Sequence, residues 1–557
     1  MSSNDARFAD VLIGSAESRR QSDMTPTAAR TQRAKAQLDD PSGFSGNYLD
    51  GLPTRKAPLR HLSVTGISFR IFLTCWLVFT LHFATNTVRE LFPVLSLGDR
   101  LSFDVSEYAG LHTDTFEIPG RGNFINNNPG ASIVGAVPYL IFLPVTERIV
   151  ERVQKARAAN PQQPATSYDT IYPMAQEFYR KAVEKGFDVK FGLAAAITQA
   201  FAVAPISALG AVVMFSLLLS LTRNRSASVL LAMLYAFATP ILFRTAQLNQ
   251  NVLLADFALF SFALLWRPWT ANEEMRKPLY FAAGLCCGWT VVLDYSGLVA
   301  VAVLSGYALA LWLARPNAKR KLFELAEFAI GVAACAVVLM AYQWSMFGNP
   351  FLPAQSYMPP ANFTELGYRG FSLPRFDLLF ETAFSIRYGL FVSAPILLLS
   401  FAAPVWLRKS TRLLGRRETI FVVSFVVLFF TFCAANQYGR MQFNSGVRHI
   451  VPVVPFLFLL TANVLLKMPR IVAILFGVLG TYWSWCLAMY RDVEQGSGIF
   501  ESVKHISLEG FRLPWLTTLE RMGFVNNGSA IPLFVLAGVI IWLLWTVGSR
   551  QRPVGLN

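Results

Sequence analysis

Twelve apolar runs, each near the length of a membrane-crossing helix, alternate along this chain with short polar connections. A helix needs about 20 apolar residues to cross the hydrocarbon core of a bilayer. The runs fall near 66–88, 191–221, 227–246, 251–266, 279–294, 297–314, 323–347, 389–407, 419–436, 449–466, 471–490 and 531–547. Because lipid offers no partner to a backbone N–H or C=O, such runs fold as helices and pack side by side. The sequence therefore predicts an all-α, polytopic transmembrane helical bundle of about 12 spans. With 54% hydrophobic residues, 46 Phe and only 15% charged residues in a chain of 557, a soluble domain is excluded. All six cysteines lie inside apolar runs, without zinc or disulfide spacing, and read as small packing residues.

The formal charge of +15 is a topology signal rather than a nucleic-acid footprint, because Lys and Arg cluster in alternate connections instead of along one polar face. Arg223 and Arg225, Arg267 with Arg276 and Lys277, Arg315 with Lys319 to Lys321, Arg408 to Arg417, and Lys467 with Arg470 share one side, which the bias of cytoplasmic loops makes the inner one. Residues 1–60 form an expected disordered cytoplasmic arm, 61–550 the membrane domain and 551–557 a cytoplasmic tail. The outer segments are 89–190, 348–388, 437–448 and 491–530. The run "ASIVGAVPYLIFLPVTE" at 131–147 would reverse every later connection if it crossed. It contains Pro138 and Pro144 and is short for a span, so it is expected to lie along the outer leaflet. This layout fits a bacterial inner membrane with the functional face outside.

Charged groups that persist at outer helix ends are functional candidates, since burial near lipid is costly. Arg440 and Arg448 lie in "NQYGRMQFNSGVRHIVP", where the topology bias disfavours cations. They either snorkel to head groups or hold an anion, a guanidinium matching phosphate through two parallel hydrogen bonds. Arg387 and Arg244 follow on the same argument. Asp294 in "VVLDYSG" caps the next helix or walls a site, and Asp256, inside a run, is expected to have an interior structural partner. In "GDRLSFDVSEYAGL", Asp104 stands four residues before Tyr108, so a short helix would put both on one face, with Glu107 on the neighbouring strip. His112 and Asp114, with Asp104 or Glu107, offer oxygen and nitrogen ligands for a divalent cation, a poor signal, since a lone histidine in an outer loop is more often ordinary surface.

With those residues in place, the chain resembles the GT-C superfamily of integral-membrane glycosyltransferases, which includes lipid A aminoarabinose transferases and protein O-mannosyltransferases. "DVSEYA" is similar to the superfamily's outer-loop acid followed by Tyr-Ala, through Asp104, Tyr108 and Ala109, and "NNNPGASIVGAVPYL" to its turn opening a juxtamembrane helix. "LYAFATPILFRTAQLNQN", "AAGLCCGWTVVLDYSG", "FGNPFLPAQSY", "SIRYGLFVSAPILLL" and "FNSGVRHIVPVVPFL" resemble later signatures, in order, across roughly 66–466. Two departures stand out. The second acid of the pair is Val105 here, leaving Glu107 or Asp99 to supply another carboxylate, and the family's lysine before a double proline is replaced by Asn127 and Asn128 before Pro129.

The resemblance implies transfer of a sugar from a polyprenyl-phosphate donor to a glycan, lipid or protein acceptor outside the cytoplasm, with inversion. A phosphate leaves as a stable anion, so one general base suffices where a glycosidase needs two carboxylates. It further implies Asp104, with Glu107, as the catalytic acids, Arg448 and Arg440 at the departing phosphate, and Tyr108, Arg387, Asp294 and Asn128 around the substrate. No cofactor is fixed by the sequence, a divalent cation being one option. The rival readings are a polytopic transporter or lipid flippase and a non-catalytic envelope scaffold. Transporters place their acids near the bilayer midplane, where this chain has only Asp256.

Overall fold

The computed structural model describes residues 62–547 except 86–87, 113, 161–172, 267–278, 315–321, 360–364, 404–412, 441, 443–446, 494–495 and 527–528. The expected cytoplasmic arm and tail, and most of the basic clusters at 267–277, 315–321 and 408–412, lie outside the described residues.

The elements run α1 (Val64–Leu81), α2 (Leu91–Arg100), the hairpin β1 (Thr115–Ile118) and β2 (Gly122–Ile125), α3 (Gly130–Ala159), α4 (Pro173–Glu184) and α5 (Asp188–Thr198). A π-helical turn at Gln199–Val203 joins α5 to α6 (Ala204–Thr222). Then come α7 (Arg225–Phe237), α8 (Pro240–Arg244), α9 (Gln250–Leu265), α10 (Tyr280–Leu293), α11 (Gly297–Leu313) and α12 (Leu322–Phe347). The rest are α13 (Phe376–Phe384), α14 (Leu390–Ser393), α15 (Arg416–Ala435), α16 (Val454–Leu465), α17 (Arg470–Met489), α18 (Ile499–Glu509), α19 (Pro514–Arg521) and α20 (Ile531–Thr546). The protein is thus all-α apart from one two-stranded antiparallel hairpin among the described residues. Among the described residues, six helices, α3 included, are long and apolar enough to cross a membrane by length and composition, and six shorter apolar helices accompany them.

Local chemistry sets the breaks. Ser63 caps α1 by accepting from Gly66 N at 3.0 Å, and Asn249 caps α9 by accepting from Asn251 and Val252 N. The run 227–246 is interrupted at Thr239–Pro240, where proline lacks the donor that an uninterrupted helix requires. In the run 389–407, α14 gives way at Pro395 to a 3₁₀ stretch, Pro395–Ala402, in place of one regular helix. Helices approach closely where the sequence supplies glycine: a Cβ on Gly284 of α10 would sit 2.2 Å from Phe328 O of α12, and one on Gly331 of α12 2.6 Å from Phe281 O.

Two ends of the bundle are distinguished by their contacts. At the basic end, Arg225 donates to Leu62 O at 3.1 Å, Arg70 to Leu544 O at 2.8 Å, and Tyr307 to Glu418 at 2.9 Å. At the loop-bearing end, Gln199 donates to Phe79 O and Thr245 O, Trp515 to Leu81 O, and Ser484 to Thr239 O. The long helix α3 starts at the loop-bearing end, where Ser132 donates to Glu90 O. It finishes with Arg157 paired to Asp188, which precedes Gln199 by the whole of α5 on the side away from Thr222. Both ends of α3 therefore belong to the loop-bearing end, despite its length. Its open strip of Val137, Ile141 and Val145 recurs every four residues, an apolar face along one side of the helix.

A membrane-impermeant maleimide should label Glu151→Cys and Glu107→Cys from one side of sealed vesicles and Asn224→Cys from the other. Labelling of Glu151→Cys together with Asn224→Cys would mean that α3 crosses.

Candidate functional site

Between α1 and α2 the chain passes through Arg89 and Glu90, the latter only 4% exposed. Glu90 stands at the N-cap position of α2, yet its carboxylate caps nothing there. It accepts instead from Asn127 Nδ2, and Arg89 Nε lies 3.8 Å away. Arg89 also pairs with Asp114 just before β1. Asn127 belongs to the "NNNPG" turn that starts α3, and Ser132 of that helix holds the Glu90 backbone carbonyl at 2.9 Å. Three parts of the first loop thus close on one buried carboxylate.

Two further arginines, Arg448 and Arg244, have it as a charged neighbour, and Arg491 lies beside Arg244. Arg448 counts Arg89, Glu90, Asp114 and Asp294 among its charged neighbours, and its Nη2 faces His449 at 3.3 Å. Burial and then Arg89 lower its guanidinium to about 10, still protonated at neutral pH. Arg244, the last residue of α8, is 1% exposed, and its Nε and Nη2 have no hydrogen-bond partner. Its charged neighbours are Arg491, Arg448 and Glu90. Arg491, just beyond α17, is 5% exposed; it donates to Phe243 O at 2.8 Å and to Gln247 at 3.4 Å, with its Nε left over. A buried guanidinium with idle donors is expensive. Three arginines that neighbour Glu90 and a fourth, Arg491, beside Arg244, with idle N–H groups on Arg244 and Arg491, form a site suited to an anion with several acceptor oxygens.

The acids of the opening loop lie apart from this cluster. Asp104 precedes a single 3₁₀ turn, Ser106–Tyr108, too short to bring residues four apart onto one face. Its Oδ1 accepts from Ser106 N at 2.9 Å, Ser106 Oγ at 2.5 Å and Asn123 N at 3.0 Å, tying β2 to the loop. Partial burial pushes the carboxyl up, but those hydrogen bonds and the Arg100 charge outweigh it and hold it below the usual carboxylate range. Tyr108 is buried between Phe92, Phe187 and Phe191 and donates to Asp99 at 3.3 Å, not to Asp104. Asp99 in turn pairs with Lys190. Glu107 points outward to Arg100 at 3.5 Å. The expected shared face of Asp104 and Tyr108 is therefore replaced by two separate uses: one acid pins a hairpin, and the phenol closes a core.

The other expected residues divide. Asp294 does cap its turn, accepting from Ser296 N at 2.8 Å, and it is also a charged neighbour of Arg448. Asn128 donates to Val291 O at 2.7 Å, fastening the start of α3 to the last turn of α10. Arg440 bonds Glu381 and Asp377 on α13, and Arg387 is exposed on the following turn, so neither is shown with Arg448. Asp256 has the interior partner expected of it, Ser207 at 2.6 Å. For a divalent cation the ligands are spent elsewhere. His112 Nδ1 accepts from Asp114 N at 3.0 Å, Asp114 pairs with Arg89, and among the described residues no group of three His, Cys, Asp or Glu side chains is placed to hold a metal.

Glu90 and Arg491 went unnoticed in the sequence. Glu90 falls just past the 66–88 run, at what hydropathy makes a span end. Arg491 directly follows the 471–490 run at an outer end, and the argument that singled out Arg440 applies to it unchanged. Comparison with protein-family profiles, characterised proteins and solved structures gives no match to this chain.

If Glu90 balances the arginines, Glu90→Gln should cost about 3 kcal/mol, the range for removing one partner of a buried pair. Glu90→Gln combined with Arg244→Gln should then cost clearly less than the sum of the single changes. Thermal unfolding in detergent measures both, and strict additivity would break the cluster apart.

Proposed function

We propose that the chain is an integral-membrane glycosyltransferase. It moves a sugar from a polyprenyl-phosphate donor to an extracytoplasmic acceptor hydroxyl, working at the loop-bearing face of a twelve-crossing bundle in a bacterial inner membrane. The crossings are α1, α5–α6, α7–α8, α9, α10, α11, α12, the 389–407 segment, α15, α16, α17 and α20, with α3 along the outer leaflet. The observation that carries the reading is the buried arginine cluster, with the idle Nε and Nη2 of Arg244 at its centre.

A lipid-borne phosphate explains why such a site belongs at the end of a membrane bundle. The prenyl tail stays among apolar helices while the phosphate reaches Arg244 and Arg448 at the interface, so the donor never leaves the bilayer. Fixed guanidiniums aimed at the oxygen that gains charge as the C–O bond breaks stabilise the transition state more than the ground state. The acceptor proton needs a carboxylate beside that phosphate. The resemblance names Asp104, whose Oδ1 is already occupied and whose affinity for a proton is lowered. Asp114 is a charged neighbour of Arg448, pairs with Arg89 through one oxygen, Oδ2, and has a side chain that is 32% exposed. We assign the general base to Asp114 and a loop-positioning role to Asp104. A transporter would need its acids in mid-bundle, and Asp256, the acid found there, is bonded to Ser207.

Transfer of labelled sugar from prenyl-phosphate donors in proteoliposomes tests this. Arg244→Met and Asp114→Asn should each lower the rate by roughly 10²- to 10⁴-fold, and Asp104→Asn by about tenfold or less. Lipid movement without sugar transfer would favour a flippase, and loss of transfer in Asp104→Asn alone would return the base to Asp104.

A further inference from the structure

The outer segment between α12 and the 389–407 run exposes more apolar surface than an aqueous loop should. Leu373 is 86% exposed, Phe376 80%, Phe380 54% and Phe384 42%. The three phenylalanines recur every four residues along α13, so they form one strip down its open side. Asp377 and Glu381 occupy the neighbouring strip, and both are neutralised: Arg375 and Arg440 pair with Asp377, while Arg440 and Tyr388 bond Glu381. Leu378, Thr382 and Ala383 fill the third side and are buried, where α13 packs on α15.

Backbone hydrogen bonds fix the height of the strip. Ser372 N donates to Ala435 O at 2.9 Å, Arg375 N to Ala434 O at 3.0 Å, and Gln437 N to Gly370 O at 2.9 Å. Residues 370–375 are thereby stitched to the last turn of α15, a helix of 20 residues, about 30 Å long and among those able to cross a membrane. The start of α13 is therefore level with the outer end of a crossing helix, where acyl chains meet head groups. The strip also continues into the side of the bundle. Ring centroids lie 5.5 Å apart from Phe380 to Phe384, 5.5 Å from Phe384 to Phe391 and 5.0 Å from Phe391 to Phe401. Phe401 is 60% exposed on the apolar run 389–407, so the strip joins the surface that a crossing segment turns to lipid.

We infer that Leu373, Phe376, Phe380 and Phe384 are seated among the acyl chains of the outer leaflet, which makes α13 an interfacial helix rather than part of an aqueous loop. This rests on the crossing of α15 and is independent of the donor reading. Aromatic rings favour that depth, and a helix lying there buries its apolar side while its charges stay at head-group level. Arg440 then acts as an anchor, neutralising two acids that the phenylalanine strip carries to the lipid boundary. A protein partner is the other way to cover such a strip, and its continuity with the lipid-facing side of the bundle favours lipid.

Nitroxide labels on Leu373→Cys, Phe376→Cys and Phe380→Cys, each in the full chain in nanodiscs, read the contact, because oxygen concentrates in lipid and a nickel chelate stays in water. Glu117→Cys, exposed on the hairpin, is the aqueous reference, and the unsubstituted protein taken through the same labelling measures the background of its own cysteines. The three replaced side chains are at least half exposed, so the variants should elute as the parent does. The ratio of oxygen to nickel accessibility at 373, 376 and 380 should exceed that at 117 severalfold. Ratios equal to that at 117 would return the strip to water and overturn the inference. Exclusion of both reagents would mean that a protein surface, such as a second copy of the chain, covers the strip, and would overturn it as well.

Discussion

Positive charge buried at one end of an apolar bundle is the constraint around which the rest of this molecule is arranged. Arg244 and Arg491 are nearly sealed from solvent, and Arg89 and Arg448 stand beside them. Without Glu90, Asp114 and Asp294 such a group would repel itself and draw water into the helix ends. The first outer loop answers that requirement. Its path from α1 through α2, the hairpin and the asparagine turn delivers Glu90 and Asp114 to the arginines, and the start of α3 locks Glu90 from behind.

The same arrangement explains why the loop is so heavily tied down. Asp104 gathers Ser106 and Asn123, Asp99 gathers Lys190 and Tyr108, and a wall of Phe92, Phe187 and Phe191 packs behind them. These acids are not surplus charge near lipid: they fix the geometry of the loop that carries Glu90 and Asp114 to the arginines. Pre-organisation of this kind is what lets fixed dipoles and charges act without rearranging during a reaction.

Much of the helical architecture was legible in the sequence because hydropathy over 20 residues is a strong signal. For α3 the sequence offers charge bookkeeping alone, and by length and composition the helix is one of the six able to cross. Other features were hidden. The break at Pro395 lies within a run that remains apolar throughout, so hydropathy sees no change. Spacing placed Asp104 and Tyr108 on one helical face, but the segment makes a single 3₁₀ turn, and a three-residue turn has no such face. Arg448 and Asp294 were legible as candidates, whereas their company was not: Glu90 and Asp114 become neighbours of Arg448 only through tertiary contacts between segments hundreds of residues apart.

The central claim is that the arginine cluster holds the phosphate of a membrane lipid, and ligand-dependent stability tests it most directly. Farnesyl phosphate, a short prenyl phosphate, should stabilise the purified protein by about 2.7 kcal/mol when present at roughly 100 times its Kd. Farnesol, with the same tail and no phosphate, should do nothing, and Arg244→Met should abolish the effect. Equal stabilisation by farnesol, or full stabilisation of the Arg244→Met protein, would contradict the account.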